Sequence, residues 1–147
     1  MSEKVYITGA SSGIGAALAI EYAKRGATLG ISARRSEKLQ DIAQQCKVSG
    51  AANVFTYILD VTDQNNSAGT AKEFIAAANG IDIVIANAGV ANSDKIGSGE
   101  ATQINQVFST NILGVTNSII PFVPTMKENS SGKIVIISSI ASFRPIA

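Results

Sequence analysis

Short apolar runs alternate with segments of helical periodicity along the chain. Each run is mostly apolar, which is typical of strands buried on both faces. The segments between the runs repeat apolar residues every three or four positions, as a helix packed along one side does. On this pattern we predict five strands, over residues 5–8, 28–32, 54–59, 81–86 and 133–138.

Four helices are predicted between these strands. Serine and asparagine are good N-caps because their side-chain oxygen accepts a hydrogen bond from a free backbone N–H. Ser36 is therefore expected to cap the second helix, and Asn66 or Ser67 the third. The fourth is expected to run from residue 101 to about residue 126, with two prolines disturbing its last turns.

The alternation of strands and helices predicts an α/β fold with a parallel sheet covered by helices on both faces. Right-handed crossovers make such a sheet doubly wound. Without a repeat or a linker, residues 1–147 are expected to form a single domain. A sheet ending with the fifth strand would have an unpaired edge. We therefore expect the C-terminal strands to be missing and the chain to be truncated.

Composition narrows the class of protein. Charged residues make up 16% of the chain, below the ~25% usual for soluble domains. This low fraction indicates that much of the domain's surface is buried, either by a missing part of the chain or by another subunit. The net charge of +1 gives no reason to expect a nucleic acid or an anionic membrane as partner. No apolar run reaches the ~18 residues of a membrane helix, and the N-terminus is unlike a signal peptide.

The cysteine and histidine counts bear on the compartment and on the possible chemistry. A single cysteine, Cys46, cannot form an internal disulfide, which fits a reducing, cytoplasmic compartment. The chain has no histidine, so the usual zinc sites and Ser-His-Asp chemistry are not expected, and no metal site is predicted.

A glycine-rich loop joins the first predicted strand to the first predicted helix. Residues 8–15 read Thr-Gly-Ala-Ser-Ser-Gly-Ile-Gly. Gly9 would allow the tight turn out of the strand, and Gly13 would let the backbone approach a pyrophosphate. Gly15 would let the helix pack closely on the sheet. The alternative is a purely structural turn.

The helix after this loop begins near Ile14. Its free N–H groups and partial positive charge would attract phosphates, and Ser11 and Ser12 can add hydroxyl donors. A dinucleotide is therefore the predicted ligand, although the glycine spacing differs from the common Gly-x-Gly-x-x-Gly.

Two arginines follow the second predicted strand. An acidic residue there would accept hydrogen bonds from the ribose of NAD and repel a 2′-phosphate. The chain has alanine at position 33, followed by Arg34 and Arg35. Because a guanidinium suits phosphate oxygens, we predict NADP(H) as cofactor. The alternative is a solvated turn.

Four further motifs complete the pattern. Asp60-Val61 follows the third strand, and Asn87-Ala88-Gly89 follows the fourth. Asn111 lies in Ser-Thr-Asn-Ile-Leu-Gly, and the fifth strand ends in Ile-Ile-Ser-Ser at residues 136–139. In this order, and with the glycine loop, they resemble the short-chain dehydrogenases/reductases over essentially the whole chain. The resemblance implies a Rossmann-like fold and hydride transfer between NADP(H) and a small-molecule carbonyl or alcohol.

The resemblance also assigns roles to residues. It makes Arg34 the direct contact to the 2′-phosphate, with Ser32 or Arg35 assisting. It places Asp60 and Val61 at the adenine, although Asp60 could merely cap a loop. The residues expected to bind the cofactor are Thr8, Gly9, Ser11, Ser12, Gly13, Ile14, Gly15, Arg34, Arg35, Asp60, Val61, Asn87, Ala88 and Gly89.

The resemblance implies two catalytic residues in this chain. Ser139 would bind the substrate oxygen, with Ser138 as the alternative if the register differs by one, and Asn111 would support the proton path. A loop hydroxyl and a helix asparagine bonded to a nearby backbone group are the structural alternatives. The family also uses a tyrosine followed four residues later by lysine. No tyrosine here has that lysine, so the pair is expected beyond residue 147 and the chain as given is expected to be inactive.

Two other functions remain open at this point. One is a non-catalytic NADP-binding or regulatory module, against which the retention of Ser139 and Asn111 argues. The other is an extended sugar epimerase or dehydratase, which Asn-Ala-Gly after the fourth strand disfavours. The long fourth helix resembles one that the family uses for packing subunits, so a homo-oligomer, dimer or tetramer, is expected.

Overall fold

The computed structural model describes residues 2–91 and 99–139, and within them a five-stranded parallel sheet. The strands lie in the order β3-β2-β1-β4-β5, with β1 in the centre. This confirms the predicted doubly wound, Rossmann-like sheet. The strands are β1 (Lys4–Thr8), β2 (Thr28–Ala33), β3 (Asn53–Ile58), β4 (Ile83–Ala86) and β5 (Lys133–Ile136).

Helices cover both faces of the sheet. The helices are α1 (Gly13–Lys24), α2 (Ser36–Ser49), α3 (Gln64–Ala78) and α4 (Thr102–Glu128). Buried residues of α1 and α2 pack with Ile7, Leu29 and Ile85 on one face. Buried residues of α3 and α4 pack with Tyr6 and Val84 on the other. The chain therefore changes side of β1 between β3 and β4, which creates a topological switch point between β1 and β4.

Two predicted helix caps are wrong. Helix α2 begins at Ser36 itself, so Arg35 holds the N-cap position. Helix α3 is capped by Asp63, whose carboxylate accepts the N–H of Asn66 at 2.9 Å. A carboxylate is as good a cap as serine or asparagine. Asp63 lies three residues before Asn66, the first of the two predicted caps.

The long helix α4 is continuous but not uniform. Its turn at Ser109–Leu113 is π-helical, and its turn at Ile120–Phe122, which contains Pro121, is 3-10, so a proline disturbs the last turns as predicted. Among the described residues α4 alone is long and apolar enough to cross a membrane, by length and composition. Core helices of soluble proteins also meet that criterion, and α4 buries Phe122 against the sheet.

An aromatic cluster fixes α3 and α4 on the sheet. The ring of Tyr6 lies 5.4 Å from that of Phe74 and 4.9 Å from that of Phe122, centroid to centroid. Gly30 makes room for them, because a Cβ there would lie 2.6 Å from both Tyr6 and Phe74. The rings thereby hold both helices against this face of the sheet.

Candidate functional site

A groove runs across the carboxyl ends of the strands at the switch point. Ligands of open α/β sheets bind at this place. The groove has a volume of about 250 Å³. It is lined by Gly9, Ser11, Ser12, Ala33, Arg34, Arg35, Leu59, Asp60, Val61, Asn87, Ala88, Gly89, Val90 and Thr110.

Two glycines of the first loop are required by close packing. A Cβ on Gly9 would lie 2.7 Å from Cα of Ala88, and the backbone φ of Gly9 is +69°. A Cβ on Gly15 would lie 2.5 Å from the carbonyl oxygen of Gly9 and 2.5 Å from Nδ2 of Asn87. These contacts bring α1 close to the sheet.

Gly13 differs from the other two. Its φ is +57°, but a Cβ there would meet nothing within 4 Å. It opens α1, whose N-cap Ser12 makes no capping hydrogen bond through its side chain. The first N–H groups of a helix have no partner within the helix, so α1 offers donors and a partial positive charge beside Gly13.

Thr8 and Asn87 tie the loop to the end of β4. The buried Thr8 hydroxyl oxygen accepts the backbone N–H of Asn87 at 3.1 Å and that of Ala88 at 3.2 Å. In return, Nδ2 of Asn87 donates to the carbonyl oxygens of Thr8 at 3.0 Å and Gly9 at 3.2 Å. These hydrogen bonds hold the glycine-rich loop and the loop after β4 together before any ligand is present.

We expect Thr8→Val to lower the free energy of unfolding by about 1–3 kcal/mol. The isosteric change leaves two amides without their acceptor, and an unsatisfied buried donor costs that much. Urea denaturation would measure the loss. Thr56→Val is the matched control, because Thr56 bonds only the exposed Gln40 side chain among its described partners. Equal, small losses in both variants would contradict the role of Thr8.

The two arginines after β2 have different partners. Nη2 of Arg35 donates to the hydroxyl oxygens of Ser11 at 3.0 Å and Ser12 at 2.7 Å. Nη1 of Arg34 lies 3.9 Å from Oδ2 of Asp60, in a half-exposed pair. Exposed pairs at this distance are weak, so Arg34 can exchange Asp60 for another anion. Arg35, expected only to assist, is the arginine that contacts the glycine-rich loop.

Asp60 shapes the turn after β3. Its Oδ1 accepts the backbone N–H of Thr62 at 3.0 Å and the Thr62 hydroxyl at 2.8 Å. The bond from the Thr62 backbone holds the pKa of Asp60 below its usual value, and the Thr62 hydroxyl and the charge of Arg34 add to this. Asp60 therefore stays ionised at the edge of the groove.

Asn111 holds the loop after β4. Its Oδ1 accepts the N–H of Val90 at 2.8 Å, and its Nδ2 donates to the carbonyl oxygen of Val90 at 2.8 Å. Asn111 lies within the π-helical turn of α4, and such turns occur frequently at functional sites. Both backbone groups of Val90 are thus fixed, whichever chemistry Asn111 performs.

The structure brings most of the predicted residues to the groove. Ser139 is exposed, three residues after the end of β5, which pairs with β4. Ile14, in contrast, is 59% exposed and lies beside Ala17 and Leu18 on the outer side of α1. Three lining residues have no signal in the sequence that we recognised: Leu59, Val90 and Thr110.

Comparison with known proteins shows which family the chain belongs to. The family model described as short chain dehydrogenase matches residues 3–147. An oxidoreductase of Listeria innocua is 35% identical over 95% of this chain and 56% of its own length. The chain spans about half the length of curated relatives such as this one.

Two solved structures are similar and contain nucleotides. The alcohol dehydrogenase of the archaeon Thermococcus sibiricus, complexed with 5-hydroxy-NADP, superimposes with a TM-score of 0.91 at 28% identity. The match covers 99% of this chain and 62% of that one. A metagenomic short-chain oxidoreductase in complex with NADP also gives 0.91 at 28% identity, over 100% of this chain and 67% of that one.

Proposed function

The chain belongs to the short-chain dehydrogenase/reductase family of oxidoreductases, and from that premise we propose that it binds NADP(H) for hydride transfer to or from a carbonyl or alcohol substrate. The observation that carries the proposal is the open space at Gly13. Nothing within 4 Å would meet a side chain there, while Gly9 and Gly15 on either side are tightly packed. The backbone at the N-terminus of α1 is therefore open on the side of Gly13, and the pyrophosphate of a dinucleotide would bind there.

The preference for NADP(H) rests on the end of β2. No carboxylate stands at residues 31–35 to accept the ribose hydroxyls of NAD. Arg34 and Arg35 line the groove together with Ser11 and Ser12, and Arg35 already bonds both serine hydroxyls. This set of donors suits a phosphate dianion, and two similar solved proteins contain NADP or an NADP derivative.

The remaining groups would hold the other parts of the cofactor. Val61 lines the groove and is 5% exposed. Its side chain would offer an apolar surface to the adenine, with Asp60 beside it in the lining of the groove. Ala88 and Gly89, small residues after β4, allow close approach of the ribose and nicotinamide. When bound, the nicotinamide supplies or accepts the hydride.

The chain's own contribution to the chemistry would be positioning and hydrogen bonding. Ser139 would donate to the substrate oxygen, and Asn111 would keep the loop at Val90 in place beside it. None of the three tyrosines is placed to exchange a proton in the groove. The Tyr6 hydroxyl donates to Thr70 at 3.2 Å, and burial raises the pKa of Tyr57 to about 12. Tyr22 lies on the surface of α1 under Arg25.

A non-catalytic NADP-binding module is the second candidate for this chain. Ser139, exposed beyond β5, favours the enzyme, because a module that only binds the nucleotide needs no serine there. Titration calorimetry with NADP(H), followed by an assay for NADPH oxidation with a panel of aldehydes and ketones, separates the two. Binding without turnover by the complete protein would support the module, and absence of binding would refute both.

We also propose that the protein self-associates through the outer face of α4. Ile104, Phe108 and Ile112 are spaced four residues apart and are 41%, 56% and 52% exposed. A row of exposed apolar side chains on one helix is typical of an interaction surface.

Phe108→Asp should convert an oligomer into a monomer in sedimentation velocity experiments. A charge at the centre of such an interface costs at least about 2 kcal/mol per contact, or roughly 30-fold in association. Val48→Asp is the control, since Val48 is 79% exposed on α2 and distant in sequence from α4. A wild-type protein that sediments as a monomer at all concentrations would contradict this assembly.

A further inference from the structure

Helix α4 holds the loop after β3 as well as the loop after β4. Nδ2 of Asn117 donates to the carbonyl oxygen of Val61 at 2.9 Å, in a partly buried contact across 56 residues of sequence. Gly114 touches the same residue, because a Cβ there would lie 2.5 Å from Cγ2 of Val61. Val61 is thus fixed by α4 through both its backbone and its side chain.

The turn after β3 is not placed by its own hydrogen bonds. The bonds from Thr62 to Asp60 are local, so they set the shape of the turn. They do not set its distance from the other loops around the groove. The contacts with α4 do so, because α4 is itself anchored in the core through Ile119 and Phe122.

We propose that Asn117 is a positioning residue for the adenine half of the nucleotide. It does not line the groove; it acts through Val61, which does. The proposal rests on the proposed function, in which Val61 packs against the adenine. Because Asn111 on the same helix holds Val90, α4 sets the separation between the adenine end and the opposite end of the groove.

The test uses 2′,5′-ADP, which contains only the adenine half of NADP. Asn117→Leu keeps the size of the side chain and removes the donor. Its dissociation constant for 2′,5′-ADP should rise roughly 3- to 10-fold, as expected for one lost hydrogen bond. Asn117→Asp should weaken binding more, since a carboxylate would face the Val61 carbonyl. NADP(H) should lose the same factor as 2′,5′-ADP, because the nicotinamide half is not involved.

Thr116→Ala is the matched control on the same helix. The Thr116 hydroxyl donates to the carbonyl oxygen of Leu113 within α4, and it is exposed. Its affinity for 2′,5′-ADP should equal that of the wild type. All constants are measured below the unfolding transition of each variant, so a loss of stability alone leaves them unchanged.

A second variant keeps the proposal testable if Asn117→Leu does not fold. Gly114→Ala favours the helix by propensity but forces Val61 away, so it too should weaken 2′,5′-ADP binding. Wild-type affinity in a folded Asn117→Leu or Gly114→Ala variant would overturn the positioning role and leave the proposed function standing. A wild-type chain that binds neither 2′,5′-ADP nor NADP(H) would overturn the proposed function itself.

Discussion

Gly13→Ala should weaken NADP(H) binding at least ~100-fold while leaving the chain folded. The added methyl group would project into the space at the N-terminus of α1 that we assign to the pyrophosphate. Displacing the phosphates by even an ångström removes hydrogen bonds to a charged group, and two such bonds contribute at least about 3 kcal/mol. Titration calorimetry, or the fluorescence of bound NADPH, measures the change.

The stability cost of this substitution can be separated from its effect on binding. Gly13 has a φ of +57°, where an alanine costs about 1–2 kcal/mol. Gly26, at the end of α1, has a φ of +74° and likewise no atom within 4 Å of a Cβ. Gly26→Ala should therefore lower Tm by a similar amount and leave NADP(H) affinity unchanged.

Comparing Gly13→Ala with Gly26→Ala tests whether the pyrophosphate binds beside the N-terminus of α1. If Gly13→Ala bound NADP(H) as tightly as Gly26→Ala does, the space beside the α1 N-terminus would not hold the pyrophosphate. The assignment of the glycine-rich loop to pyrophosphate binding would then be wrong, whereas the description of the fold would be unaffected.

The fold was predictable because its signals are local. A buried parallel strand is a short, mostly apolar run, and residues 81–86 need no distant partner to be recognised. The helix caps were less certain, because Asp63, Asn66 and Ser67 all offer a side-chain oxygen within one turn. The structure selects Asp63. The π-helical turn of α4 left no trace in the sequence that we recognised.

Contacts between distant segments of the site were not predictable from the sequence. The glycine-rich loop was recognisable because its spacing and its position between strand and helix are both local features. The bonds from Arg35 to Ser11 and Ser12 join segments 23 and 24 residues apart. The bond from Asn117 to Val61 depends on where α4 crosses the sheet, which the periodicity of α4 does not determine. The family resemblance points to Arg34 as the direct contact, and the bonds of Arg35 to the glycine-rich loop are a finding that no local pattern shows.

Arg34→Ala should weaken NADP(H) binding roughly 10- to 100-fold and leave NAD(H) binding almost unchanged. A hydrogen bond between a guanidinium and a phosphate contributes about 1.5–3 kcal/mol, and NAD lacks the 2′-phosphate that receives it. The partner that Arg34 has now is Asp60, at 3.9 Å and half exposed, so little is lost with NAD.

Arg35→Ala should give a different pattern. Its guanidinium bonds Ser11 and Ser12, so its loss should weaken NADP(H) as strongly as that of Arg34 and should also weaken NAD(H), by a smaller factor. The NAD(H) effect arises because the serines belong to the loop that holds the pyrophosphate, which both nucleotides share. Competition of NAD with bound NADPH measures both constants in one series.

Arg25→Ala controls for the change of net charge. Arg25 is exposed at the end of α1 and pairs with Glu21 at 3.3 Å, so its removal alters the charge by the same amount without touching the groove. Its effect on either nucleotide should be small and should vanish at high salt, because exposed charges are screened within about 10 Å at 0.1 M salt. Equal losses of NADP(H) and NAD(H) affinity in Arg34→Ala would refute selection of the 2′-phosphate by this arginine. In that case Arg34 would act on a part that both nucleotides share, unless Arg25→Ala caused the same loss, which would identify net charge as the cause.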